Sequence, residues 1–333
     1  MSFDRLLGQD RLGGFLRHAI TTDRLAHAVL VVGPAGSGKR TLAREVGKAL
    51  LCEEGAGDAC DACRDCRLVE HGNHPDFGVF EREAGQSLVS VETARTLQGA
   101  LALKPFRGSR KVAVLPEAHR LSEAAANCLL KTLEEPPGEA VILLTAQSLG
   151  DLLPTIRSRC QVVRMAPLSP AVIAEVLERD HGVPPDAAAY GAAMSGGSLG
   201  RALELVAPDW YDIKRWVVEQ VSALTPAGVF TLTDGLLART NRLGETPAAR
   251  RVALCRCLDV AAAAYRDAAG RGAVRPIHAD QTEVLPAGLG SAAADIADRL
   301  LAAQEQIGAN ANPGLVLDAA FIDVARRRAV GVR

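Results

Sequence analysis

The sequence predicts an α/β domain built on a parallel sheet, followed by an all-α remainder. Short, almost wholly apolar runs at 28–33 (AVLVVG), 111–116 (KVAVLP) and 140–146 (AVILLTA) alternate with amphipathic stretches such as 41–51 (TLAREVGKALL). Strands that are apolar on both faces belong to parallel sheets covered by helices on either side. A glycine-rich loop, Gly33-Pro34-Ala35-Gly36-Ser37-Gly38-Lys39, joins the first run to a helix. After Met165-Ala166-Pro167 the pattern changes to short helices punctuated by glycine and proline. From about Trp210 it becomes helical periodicity without a convincing strand, as in YDIKRWVVEQVSAL and SAAADIADRLLAAQEQI.

These shifts divide the 333 residues into an α/β domain at 1–166, a small helical domain at 167–207 and a helical domain at 208–333. The composition is that of a globular chain, with 48% hydrophobic and 23% charged residues. A net charge of −1 argues against strong non-specific attraction of the whole molecule to nucleic acid. The opening MSFDRLLGQDRL has no long apolar run, and no stretch reaches the roughly 20 apolar residues of a membrane helix. The expected location is the cytoplasm, with no membrane partner. Eight cysteines without a secretion signal fit a reducing compartment, particularly because four of them are clustered at metal-ligand spacing.

A glycine-rich loop between a strand and a helix wraps a nucleotide's phosphates with backbone N–H groups, and its lysine reaches the terminal phosphates. Gly33, Gly36, Gly38 and Lys39 are the candidate nucleotide-binding residues. The next residue should be Ser or Thr, whose hydroxyl holds magnesium, but Arg40 stands there and Thr41 follows one place later. One helical step rotates a side chain by about 100°. The strand KVAVLP then brings Pro116-Glu117 where an ATPase carries Asp-Glu, the Asp holding the metal and the Glu polarising water. Both changes strip ligands from one ion, so a nucleotide can be held while hydrolysis is not expected.

Cys52, Cys60, Cys63 and Cys66 form C-x7-C-x2-C-x2-C, a set of four soft ligands suited to tetrahedral zinc. The segment between them, with Glu53, Glu54, Asp58, Asp61, Arg64 and Asp65, is too polar for a core of buried thiols. Four thiolates leave no open position for water, which predicts a structural zinc ion organising a 52–66 module after the P-loop helix. Cys128, Cys160, Cys255 and Cys257 are expected to be small buried side chains.

Taken together, FDRLLGQ at 3–9, the AHAVLVVGPAGSGK loop, the four cysteines, HPDF at 74–77, AANCLLKTLEEPP at 125–137 and LLPTIRSRC at 152–160 resemble the delta-prime subunits of bacterial DNA polymerase III clamp loaders. The resemblance covers the first two domains; the third matches in length and helical character. It implies an AAA+ P-loop parallel-sheet domain with a zinc-binding insertion, a small helical lid domain and a C-terminal helical collar. It also implies a hetero-pentamer with delta and gamma or tau subunits that loads the sliding clamp on primed DNA, this member being the non-hydrolysing one. In Ser158-Arg159-Cys160, Arg159 matches the arginine finger that such subunits direct at a neighbour's nucleotide, where a planar guanidinium suits developing phosphoryl charge. Arg157 is expected to make an ordinary surface salt bridge. The family's motors carry a nucleotide-sensing arginine in Gly-Ser-x-Arg, whereas Gly197-Ser198-Leu199 is followed here by Gly200 and then Arg201. Thr145 matches the first sensor position.

Two other readings compete. A gamma or tau type motor would have to recruit Thr41 and Glu117 to hold magnesium in altered geometry. A zinc-ribbon nucleic-acid module would need a basic surplus or an aromatic platform, and the chain has neither.

Overall fold

A computed structural model describes residues 3–55, 57–83, 85–243, 246–270, 276–286 and 288–331. Its chain divides into two compact units, Met1–Val172 with Gly196–Gly200, and Ile173–Ser195 with Arg201–Arg333.

The first unit is built on strands β1 (Ala28–Val32), β2 (Phe77–Val79), β3 (Lys111–Leu115), β4 (Ala140–Ala146) and β5 (Gln161–Arg164), in sheet order β2-β3-β4-β1-β5 with every pairing parallel. The three apolar runs are the three interior strands, and every residue of β1, β3 and β4 is buried. The remaining strands, β2 and β5, lie at the two edges. They are only three and four residues long and partly exposed, so the apolar pattern that marks an interior strand is missing from them.

Alternation along the strands feeds two cores. Val29, Val31, Val112, Val114, Val141 and Leu143 pack with Leu16 of α1 (Asp10–Thr21), with Leu42 and Val46 of α2 (Lys39–Leu51), and with Val69 of α3 (Arg64–Glu70). Leu30, Leu115, Ile142 and Leu144 pack on the other face with Leu97 of α4 (Val91–Ala102), Leu129 and Leu133 of α5 (Glu123–Glu134), and Ile156 of α6 (Pro154–Arg157). Helix starts follow capping chemistry: the Ser90 hydroxyl accepts the Thr93 N–H and Ser122 accepts that of Ala125.

The second unit is helical among the described residues. It contains most of α7 (Pro170–His181), α8 (Pro185–Met194), most of α9 (Leu199–Val206), α10 (Pro208–Ser222), α11 (Val229–Leu243), α12 (Pro247–Ala269), α13 (Ala292–Gly308) and α14 (Pro313–Gly331). Its core joins Tyr190, Trp210, Leu258, Tyr265, Leu300 and Phe321. Lys214, fully buried on α10, is held by Asp280 at 2.5 and 2.7 Å, and Tyr211 donates its hydroxyl to the same carboxylate. Asn310 adopts a left-handed conformation (φ 70°) after α13, and the Asn312 side chain accepts the Leu315 N–H at the start of α14. No helix among the described residues is long and apolar enough to cross a membrane.

Candidate nucleotide and metal sites

The P-loop leaves the end of β1 and turns into α2 through two left-handed glycines, Gly36 (φ 68°) and Gly38 (φ 87°). A Cβ on Gly36 would lie 2.1 Å from Ser198 Oγ, so a side chain there would have to displace that hydroxyl as well as hold a left-handed backbone. Lys39 folds its ammonium back on the loop, donating to the carbonyls of Gly33 (2.8 Å) and Pro34 (2.6 Å). Burial pulls the Lys39 pKa down, and the charge of Glu117 works against that shift. Lys39 lines a cavity of about 500 Å³ together with Gly36, Gly38, Arg40, Arg82, Glu117, His119, Thr145 and Gln147.

Thr41 is exposed and lines a different cavity, which also contains Pro116 and Glu81. Arg40 lines both cavities and is paired with Glu81 at 3.0 Å. Glu117 is the remaining acidic residue on the cavity wall and adopts a left-handed conformation (φ 51°), an uncommon one for a non-glycine residue. Its N–H donates to Thr145 Oγ1 at 3.2 Å, which ties the first sensor position to the end of β3. Two arginines hold its carboxylate: Arg82 Nε at 3.2 Å and Arg120 Nε at 3.4 Å. Burial favours the protonated acid, but the Arg82 hydrogen bond and the charges of Arg120 and Arg82 outweigh it and keep the pKa below the ordinary value. A carboxylate held this way is a poor base towards water. Neither Arg82 nor Arg120 belongs to a motif in the sequence. Arg120 had a signal, lying three residues after Glu117 at the strand end, whereas Arg82 arrives from the segment after β2, 35 residues away.

Arg201 approaches Asp259 of α12 at 3.7 Å. Arg159 follows α6 and is half-buried, its side chain 31% exposed. It forms an ion pair with Glu134 at the end of α5 and donates to the Thr155 carbonyl at 2.9 Å.

The four cysteines converge. All Sγ atoms lie within 4.8 Å of one another, with Cys52–Cys63 and Cys60–Cys66 at 4.0 Å. Sulfurs around zinc, with bonds of about 2.3 Å, stand about 3.8 Å apart, so the donor set fits a tetrahedral ion. All four are free thiols. The N–H of Cys63 donates to Cys60 Sγ (3.2 Å) and that of Cys66 to Cys63 Sγ (3.4 Å). Backbone N–H groups from Cys63 and Ala62 lower the Cys60 pKa to about 7, favouring the thiolate that a metal needs, while burial raises Cys52 and Cys66.

Ionic contacts bind this module to the sheet. Lys48 of α2, 1% exposed, meets Glu45 and Asp61 at 2.7 Å and Glu70 at 2.9 Å. Burial alone would lower its pKa, but these carboxylates raise it. Arg107 reaches Asp65 (2.6 Å) and Glu53 (3.0 Å). The HPDF segment connects the two regions: His74 Nε2 stands 3.3 Å from Asp65, and Asp76 accepts N–H bonds from Phe106, Arg107 and Gly108 as well as the Lys111 ammonium.

The fold and these two sites define a P-loop protein with a cluster of four cysteines that could hold a metal ion, and with Arg40 and Pro116 at positions that hold magnesium in a P-loop ATPase. A family model described as DNA polymerase III, delta subunit, matches residues 8–169. The chain is 33% identical to the DNA polymerase III subunit delta' of Yersinia pestis over 76% of this chain and 75% of that one. It is 39% identical to the subunit delta' of Pseudomonas aeruginosa over 64% of each. A DNA polymerase III subunit tau from Salmonella typhimurium is 36% identical over 53% of this chain and 27% of its own length. The chain belongs to the DNA polymerase III delta' family.

Proposed function

We propose that this chain is the non-hydrolysing AAA+ subunit of a bacterial clamp loader. It would act in a hetero-pentamer with delta and gamma or tau subunits that places the sliding clamp on primed DNA. The observation that carries the reading is the state of Glu117: it is the last acidic group of the P-loop cavity and is bound to Arg82 and Arg120, while Pro116 and Thr41 face another cavity. The cradle of Gly33, Gly36, Gly38 and Lys39 has a place for phosphate but offers no ligand set for the metal that hydrolysis requires.

Arg159 is the functional arginine in this reading, directed at the nucleotide of the neighbouring subunit. Its half-exposed guanidinium exchanges the Glu134 carboxylate for phosphate oxygens when that neighbour docks. The Cys52, Cys60, Cys63 and Cys66 module holds a structural zinc ion, with residues 167–207 as the lid and 208–333 as the oligomerising collar. A loader reconstituted with Arg159→Ala is expected to lose about 10³-fold of the ATPase assigned to the adjoining site. Unchanged ATPase would remove the finger assignment. Magnesium-dependent turnover by the isolated chain, abolished by Lys39→Ala, would replace the reading with that of a gamma or tau type motor.

A further inference from the structure

The cavity beside the P-loop has an unusual charge balance for a nucleotide site. Its wall carries Lys39, Arg40 and Arg82 as fixed cations against one carboxylate, Glu117, and that carboxylate is already ion-paired. A divalent cation needs about six oxygen ligands and a surplus of negative charge. Among the wall's oxygens, Glu117 is taken by two arginines and Thr145 Oγ1 accepts the Glu117 N–H. The cavity therefore repels a metal ion and attracts a polyanion.

Arg82 is placed to meet that polyanion. Its Nε holds Glu117 and its Nη1 donates to the Gln86 carbonyl at 2.5 Å, which fixes the guanidinium plane at the wall. Nη2 has no partner among the described residues and keeps its donors for a ligand. Arg40, also on the wall, adds a further cation, paired among the described residues with the exposed Glu81.

We propose that Arg82 takes the place of the missing magnesium ion, so that the cavity binds the polyphosphate of a nucleotide in its metal-free form. The proposal rests on the cradle being a phosphate site, as read above, but not on the Arg159 assignment. A subunit that binds no nucleotide can still donate Arg159, so the two readings fail separately. Arg82 bridges Glu117 and the phosphates, neutralising charge that a metal would otherwise carry, and Lys39 turns from its own loop carbonyls to the terminal phosphate.

The test is calorimetric titration of ATP into the full chain, in EDTA and in magnesium. Binding is expected in EDTA and to be no tighter with magnesium, because the magnesium complex presents less negative charge. Arg82→Gln, with an unchanged melting temperature, is expected to weaken binding in EDTA by about tenfold or more, the loss of one charge-assisted contact. Glu117→Gln releases Arg82 and is expected to tighten it. Inorganic tripolyphosphate should displace ATP. Absence of binding in EDTA, clear tightening by magnesium, an unaffected Arg82→Gln chain, or failure of tripolyphosphate to compete would each overturn the proposal.

Discussion

Asp76 gives the sharpest test of how the sites are held in place. Its side chain is fully buried and accepts N–H bonds from Phe106 (2.7 Å), Arg107 (2.8 Å) and Gly108 (3.3 Å), together with the Lys111 ammonium at 3.1 Å. Asp76→Ala would strand three backbone donors and a largely buried lysine. Each orphaned donor costs about 1 kcal/mol or more, and breaking a buried ion pair costs about 3–5 kcal/mol. These terms overlap, because one carboxylate serves them all, and the net loss is taken as about 3–5 kcal/mol. For a unit of this size that corresponds to a melting temperature lowered by roughly 10 °C in scanning calorimetry. The 106–108 segment that Asp76 anchors also carries Arg107 to Asp65 and Glu53, so metal affinity of the cysteine module should fall as well. Burial tends to raise the Asp76 pKa, but the Arg107 and Phe106 N–H groups, the Lys111 ammonium and the Gly108 N–H outweigh it and hold it below the ordinary value. The stabilisation is therefore present above the unfolded pKa and is lost as pH falls through the lower folded one. Asp76→Asn, which keeps an acceptor without charge, should flatten this acid dependence. A loss below about 0.5 kcal/mol for Asp76→Ala, the range of ordinary surface substitutions, would refute the hub role.

Removing the metal should be equally measurable. One zinc per chain is expected by mass spectrometry, Cys60→Ser should release it, and chelation should cost about 4 kcal/mol at free zinc a thousand times Kd. Full retention of stability in chelator would argue against a structural ion. In α2, Gly47→Ala is expected to destabilise although alanine is the better helix former. Its Cβ would lie 2.3 Å from Phe77 Cε2, and overpacking of about 1–3 kcal/mol exceeds the propensity gain of about 1 kcal/mol. A lower urea midpoint, relieved by Phe77→Leu, would bear this out; a higher midpoint would contradict it.

The features that were readable in advance are those written in local sequence. The interior strands announce themselves because both faces of β1, β3 and β4 are buried, and the cysteine module because four thiols fall within fifteen residues. The departures from the ATPase pattern are readable for the same reason, since Arg40 and Pro116 stand at fixed offsets from Lys39 and Glu117. What escaped depends on chain segments meeting in space. The edge strands β2 and β5 carry too little buried surface to show a pattern. The Arg82–Glu117 pair spans 35 residues and the Arg159–Glu134 pair 25. No periodicity encodes either, and arginines are common enough that their partners emerge only from the fold.

The P-loop glycines look like the mark of a nucleotide site, yet the packing requires them with no nucleotide present. A Cβ on Gly33 would sit 3.0 Å from Met165 Cβ and from Ser37 Oγ, and Gly36 and Gly38 hold left-handed conformations that L side chains rarely adopt. Substituting any of them would strain the turn into α2 whether or not phosphate ever binds, so their presence does not distinguish a working cradle from an inherited one. The cavity's cations offer a separate test. Lys39 lines the cavity, and its ammonium, which among the described residues donates to the Gly33 and Pro34 carbonyls, has a third N–H to offer a ligand. Comparing Gly36→Ala with Lys39→Ala separates the two roles: the first should lower stability, and the second should lower nucleotide affinity with the fold intact. If Lys39→Ala instead destabilises the chain as much as Gly36→Ala does, the lysine is a structural strut and the cavity's positive charge has no ligand to explain it.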